Sequence, residues 1–276
     1  MAEGESARAG VRMVGAAVRR EAAAIAAGMR AQDAAGWDAP SWCEGWSRRD
    51  VMSHITESPE RFYLQVQAGL DGPGPREFSP EERNARRLQV KEMPPAEMLA
   101  ELERRLQVLL GDLEARDEAA LTRPCVQVAP GRVVTPAQVV TLRLNELLLH
   151  HWDLRAPSEP RATLDPESAA LVADYVLANA ARMAKADALQ GLDATFRCET
   201  SGPGGGPVTI ACRGGQCEMT RGAAGQADVT LRLPLETLLR FVWGRVALQT
   251  ALADGTIQVD GDEDKVLALG RVFGNR

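Results

Sequence analysis

A chain of 276 residues is long enough for two modest domains with a core each, and its 45% apolar and 25% charged content is that of an ordinary globular protein. A net charge of −6 with no basic, aromatic-studded patch argues against a nucleic-acid role, and no apolar run reaches the roughly 18 residues a membrane span needs. The start MAEGESAR lacks an apolar signal core, and the five cysteines form no CxxC pair, so reduced thiols in a cytoplasmic protein are expected.

Residues 8–35 are alanine-rich, free of proline and apolar at helical spacing (Val11, Val14, Val18, Ile25, Met29), which predicts a long first helix. A loop over 37–46 follows, punctuated by Pro40 and Gly45 and carrying Trp37, Trp42 and Trp46. Ser47 with Asp50 three residues on is a capping box opening a second helix, whose apolar face runs Val51, Ile55, Phe62 with His54 beside it. Residues 69–75 break that helix, and a third helical stretch is expected over 81–115 with a bend at Pro94 and Pro95. Residues 121–134 read as a loop. Thr135 and Pro136 then start a fourth helix, proline standing first where its missing N–H costs nothing. Four helices joined by loops predict an antiparallel four-helix bundle over residues 1–160.

Composition changes beyond Pro160. Residues 164–185 read as a connecting helix, after which the period becomes two: strands around 195–199, 208–212, 217–219 and 229–233, with Gly214 and Gly215 turning a hairpin. Helices over 235–243 and 246–253, a short strand over 256–259 and a helix over 262–269 complete a small α+β domain, 161–276. The expected class is α+β in two domains.

The stretch TLRLNELLLHHWDL, residues 141–154, is apolar at nearly every position, yet Arg143, Glu146, His150 and Asp153 fall at i, i+3, i+7 and i+10. One acid–base stripe on so apolar a helix must be paired or bound to a metal. The chain has three histidines, His54, His150 and His151, and a spacing of four places His150 with Glu146 and turns His151 aside. His54, Glu146 and His150 supply two nitrogens and a carboxylate, with positions left open for water or substrate, as in catalytic metal sites. The plainer alternative is a satisfied core histidine at 54 and a Glu146–Arg143 pair.

The motifs themselves carry a resemblance. Trp46-Ser-Arg-Arg-Asp-Val-Met-Ser-His-Ile55 resembles the W-[ST]-x-x-D-V-x-x-H-[LI] signature of the mycothiol-dependent maleylpyruvate isomerase family, a branch of the DinB-like four-helix bundles. The preceding Pro40-Ser-Trp-Cys-Glu-Gly-Trp46 resembles its P-x-x-C-x-G-W loop, and Glu146-Leu-Leu-Leu-His-His-Trp-Asp-Leu154 its E-x-x-x-H-x-W-D-L signature. The resemblance implies that His54, Glu146 and His150 ligate a divalent metal, usually zinc, and that mycothiol is the thiol cosubstrate. The C-terminal part is similar to the family's sterol-carrier-like domain, chiefly at Ala227-Asp-Val-Thr-Leu-Arg-Leu-Pro234 and Trp243-Gly-Arg245.

The implied chemistry is thiolate addition to an electrophilic small molecule. Rotation and elimination make it a cis–trans isomerisation of the maleylpyruvate type; retention of the adduct makes it an S-transfer. Arg143 either forks a substrate carboxylate or pairs with Glu146, and Arg245 either binds an anionic substrate or lies plainly on the surface. Asp153 orients a histidine or ends the helix, Cys43 approaches the metal or is a small buried thiol, and the three tryptophans pack the loop. The other class is a non-catalytic small-ligand binding module with a structural or vestigial metal. The expected state is a monomer or homodimer.

Overall fold

The computed structural model describes residues 6–223 and 225–274. The chain divides into two units, Met1–Ala162 and Thr163–Arg276.

The first unit is helical. Ser6 caps α1 (Ala7–Arg30), and Asp33 caps a short α2 (Ala34–Asp38) that buries Trp37. Ser47 and Asp50 form the capping box of α3 (Arg48–Leu70). The stretch read as one helix over 81–115 is two, α4 (Pro80–Lys91) and α5 (Pro95–Ala115). The reason is local: Pro94 sits in the extended region, where a residue before a proline is driven, and neither Pro94 nor Pro95 has an N–H to continue α4. Beyond α5 comes a short α6 (Glu118–Thr122). The segment read as a loop over 121–134 also contains a hairpin of β1 (Val126–Ala129) and β2 (Arg132–Val134), turned at Gly131 with φ of 66°. Thr135 and Gln138 form a second capping box for α7 (Pro136–Arg155), with Pro136 at its first position.

Helices α1, α3, α5 and α7 pack around one core. Arg49 of α3 reaches the carbonyl of Met93 before α5, while Asp71 and Arg116 pair at the far ends, so α3 and α5 run the same way. Contacts of His54 with Glu146 and of Ser58 with Arg143 show that α3 and α7 run oppositely. That crossing brings the first half of α3 against the middle of α7.

In the second unit, α8 (Pro166–Asn179) passes through a 3₁₀ turn (Ala180–Arg182) into a five-stranded sheet. Its strands are β3 (Ala194–Ser201), β4 (Gly206–Arg213), β5 (Gln216–Arg221), β6 (Val229–Pro234) and β7 (Gln258–Gly261), in the order β5-β4-β3-β6-β7. Only β3 and β6 among these neighbours are parallel. Period-two alternation puts Phe196, Cys198, Val208, Ile210, Cys212, Leu231 and Leu233 on the buried face. Helices α9 (Leu235–Val242), α10 (Leu248–Ala253) and α11 (Glu263–Phe273) complete the unit, and α8 packs on α9 and β5. No described helix is long and apolar enough to cross a membrane.

Candidate metal centre

The antiparallel crossing of α3 and α7 makes one notch in an otherwise sealed seam. Along 142–149 of α7 every residue but Glu146 is buried, and His54 is half-buried between Ser53 and Ile55, which are fully so. Glu146 Oε2 lies 2.9 Å from His54 Nε2 and 3.7 Å from His150 Nε2. The two imidazoles meet edge to face with centroids 5.0 Å apart. One donor atom from each of the three side chains lies within 4.8 Å of the others. A tetrahedral ion with bonds of about 2.1 Å separates its donors by roughly 3.4 Å, so the carboxylate–imidazole distances bracket what a small divalent cation requires. Two imidazoles and a carboxylate also match the donor chemistry of zinc and its neighbours.

His150 is used on both ring edges. Its Nδ1 lies 2.9 Å from Asp153 Oδ2, which also accepts the Cys43 thiol at 3.2 Å. Asp153 is fully buried, and its carboxylate holds the Nδ1 edge of the ring so that Nε2 faces Glu146. Of the two alternatives for Asp153, the structure has the acceptor on His150. Cys43 is half-buried and joins a second group with His150 and Asp153, on the ring edge away from Glu146.

The tryptophan loop is fastened to the same helix end. Trp42 N–H donates to the Asp153 carbonyl (2.9 Å), and its ring stands on Trp152 at 4.9 Å. Trp46 meets the His54 ring edge-on at 5.7 Å, and Trp37 is buried with its indole N–H on the Met29 carbonyl. His151, turned aside as its spacing requires, pairs with buried Glu21 of α1 at 2.9 Å. Glu21 and Ser58 carry no pattern in the sequence that marks them for these roles.

Arg143 lies in a different environment from either one foreseen. It is wholly buried, its Nη1 donating to Ser58 Oγ (2.7 Å), which donates in turn to the His54 carbonyl (3.0 Å). Its guanidinium lies over the Phe62 ring, and Nε and Nη2 have no hydrogen-bond partner among the described residues. The pair with Glu146 is not formed, because Glu146 turns to the imidazoles. A guanidinium with no exposed surface is also not presented to a substrate carboxylate. Arg245 belongs to the second unit, half-buried, with Nη1 donating to the Trp243 carbonyl (2.7 Å).

The electrostatics follow from these contacts. Burial alone would raise the Glu146 carboxyl, but hydrogen bonds from His150 and His54 outweigh it and hold the group well below the usual carboxylate range. Burial draws the His54 imidazole down, with Glu146 only partly opposing. At His150 the same burial penalty is overcome by Asp153, Cys43 and Glu146, which hold the ring well above its ordinary value. Desolvation brings Arg143 down to about 10 against the attraction of Glu146. The notch thus presents a carboxylate between two imidazole nitrogens.

Comparison with known proteins matches residues 18–155 to the sequence model of the family described as "Mycothiol maleylpyruvate isomerase N-terminal domain". Residues 175–274 match the "SCP-2 sterol transfer family". A crystal structure of mycothiol-dependent maleylpyruvate isomerase is similar with a TM-score of 0.61 and 20% identity, covering 86% of this chain and 90% of that one. A histidine-to-alanine mutant of a mycothiol-dependent maleylpyruvate isomerase has a TM-score of 0.60 and 19% identity at the same coverage. At such identities the likeness is one of fold. Comparison with curated protein sequences returned no significant match.

Proposed function

Since the chain belongs to the mycothiol maleylpyruvate isomerase family, we propose that it is a divalent-metal-dependent enzyme adding the thiolate of a mycothiol-type cosubstrate to an electrophilic small molecule. The outcome is a cis–trans isomerisation of the maleylpyruvate type or an S-transfer. The reading is carried by one observation: His54 of α3 and Glu146 and His150 of α7 bring their donor atoms within 4.8 Å of one another in a half-open notch. A divalent cation there, zinc by its donor set, supplies the Lewis acidity that lets a thiol deprotonate at neutral pH.

The chain's own residues do the rest. His54, Glu146 and His150 hold the cation and, as only three protein donors, leave room beside it. Asp153 accepts the His150 Nδ1 proton and fixes the ring, while the edge of Trp46 restricts the His54 ring. Arg143, reaching His54 only through Ser58, acts as a positioning residue for the α3 backbone rather than on substrate. An anion-binding role for Arg245 is tested by Arg245→Ala: KM for an anionic electrophile rises while metal content is unchanged.

Elemental analysis of purified protein, alongside His54→Ala, is the test. The expected result is about one divalent ion per chain, lost in the variant, together with mycothiol-dependent turnover of maleylpyruvate or another electrophile. Wild-type protein that takes up no metal on reconstitution overturns the enzyme reading and leaves a small-ligand binding module.

A further inference from the structure

The sheet of the second unit carries a pair of cysteines that the metal chemistry does not use. Gly214 and Gly215, with φ of 57° and 74°, form a two-residue turn between β4 and β5, the conformation that matches the twist of a tight hairpin. The register pairs Arg213 with Gln216 and then Cys212 with Cys217. In a two-residue hairpin the first pair is hydrogen-bonded and the second is not. In that second kind of pair Cα atoms stand about 4.5 Å apart with side chains on one face, within the span a disulfide bridges. Both cysteines are buried, and their sulfurs are 2.6 Å apart. The turn next to them, residues 213–216, is exposed, and β5 is an edge strand, so fraying at the hairpin tip admits a small reagent.

We propose that Cys212 and Cys217 are a modification site: a cross-strand dithiol that closes to an intramolecular disulfide on reaction with the disulfide form of a low-molecular-weight thiol. One protein thiolate attacks the small disulfide, forming a mixed disulfide and releasing a thiolate. The second protein thiolate then attacks the protein-side sulfur, forming the Cys212–Cys217 bond and releasing the other small thiolate. The two protein thiol protons pass to the two released thiolates. The chain loses two electrons and two protons, and the small disulfide becomes two thiols. Either sulfur can make the first attack, since the two lie side by side across the strands and share one hydrogen bond, and the neighbouring sulfur then closes the bridge. Cys198, buried on β3 without such a partner, is pushed up to about 12 and stays inert.

The test treats native full-length protein with 2-hydroxyethyl disulfide, quenches in acid, unfolds it and counts thiols by maleimide mass shift. Two of the five thiols are expected to disappear. The intact mass falls by two hydrogens without an adduct, a Cys212–Cys217 cross-linked peptide appears, and dithiothreitol reverses the change. Cys43→Ser retains the whole effect, which separates this site from the metal centre. Cys217→Ala stops at a mixed disulfide on Cys212. Five thiols remaining, adducts on Cys43 alone, or a cross-link between any other pair overturns the proposal.

Discussion

Inside the helical bundle lie Glu21, Glu57, Arg61, Arg105, Arg143 and Asp153, whereas Glu236 is the one charged side chain buried to that degree among the described residues of the second unit. The sheet has an apolar inner face and follows the plain alternation of strands packed on one side. The bundle instead threads ion pairs and hydrogen bonds through its seams: Arg61 and Arg86 on Glu57, His151 on Glu21, His150 on Asp153. Replacing a buried pair by apolar residues often leaves a protein as stable or more so, so these groups are poorly explained as stabilisers. Two of them connect to the notch, Asp153 at the His150 ring and Arg143 through Ser58 to the His54 carbonyl, while the others join helices to one another. The bundle keeps polar groups inside, some of them beside the notch.

The contrast can be broken or sharpened by substitution. Phe196→Ala, at a fully buried sheet position, is expected to cost about 3–5 kcal/mol in denaturant unfolding, the full apolar and cavity loss. A loss below about 1 kcal/mol would mean that the sheet does not depend on its apolar face. Asp153→Asn keeps shape but removes the charge behind His150, and is expected to weaken metal affinity by roughly 10–100-fold in a chelator competition with little change in stability. Unchanged affinity would leave the burial of that carboxylate with no connection to the metal.

Asp50 sharpens the same point at the start of α3. Burial raises its carboxyl, but Lys91, Ser47 and Arg87 outweigh that and hold it at about 2, below the ordinary 3.8. A carboxyl depressed in the folded state adds stability above its unfolded pKa and loses it as pH falls through the folded one, so the contribution fades between about pH 4 and 2. Asp50→Asn should cost about 2 kcal/mol at pH 7 and flatten that part of the stability–pH curve. An unaltered acid limb would refute the assignment. The smallest effect is expected at Arg143→Met, where losing a guanidinium with two unpartnered nitrogens is offset by an apolar chain of similar length. The expected change is neutral to about 1 kcal/mol stabilising, read from the denaturation midpoint.

Much of this architecture is legible in local pattern. Capping boxes at Ser47 and Thr135 announce where α3 and α7 begin, and their spacing places Glu146 and His150 on one face with His151 aside. The hairpin at Gly214 and Gly215 announces itself in the same way. The β1–β2 hairpin escapes pattern reading because its strands are three and four residues long, too short for alternation to stand out, although Pro130 and Gly131 mark its turn. The break between α4 and α5 is stronger than the expected bend, since two successive prolines end a helix rather than kink it.

The sequence by itself determined most helix and strand positions, the α+β division and the Glu146–His150 spacing, because each rests on residues within a turn or two of one another. Only the tertiary structure decided that His54 of α3 meets Glu146 across 92 positions, that Glu21 takes His151, and that Arg143 spends itself on Ser58 instead of Glu146. Those pairings depend on the direction and rotation of packed helices, which periodicity narrows to a face but does not assign to a partner.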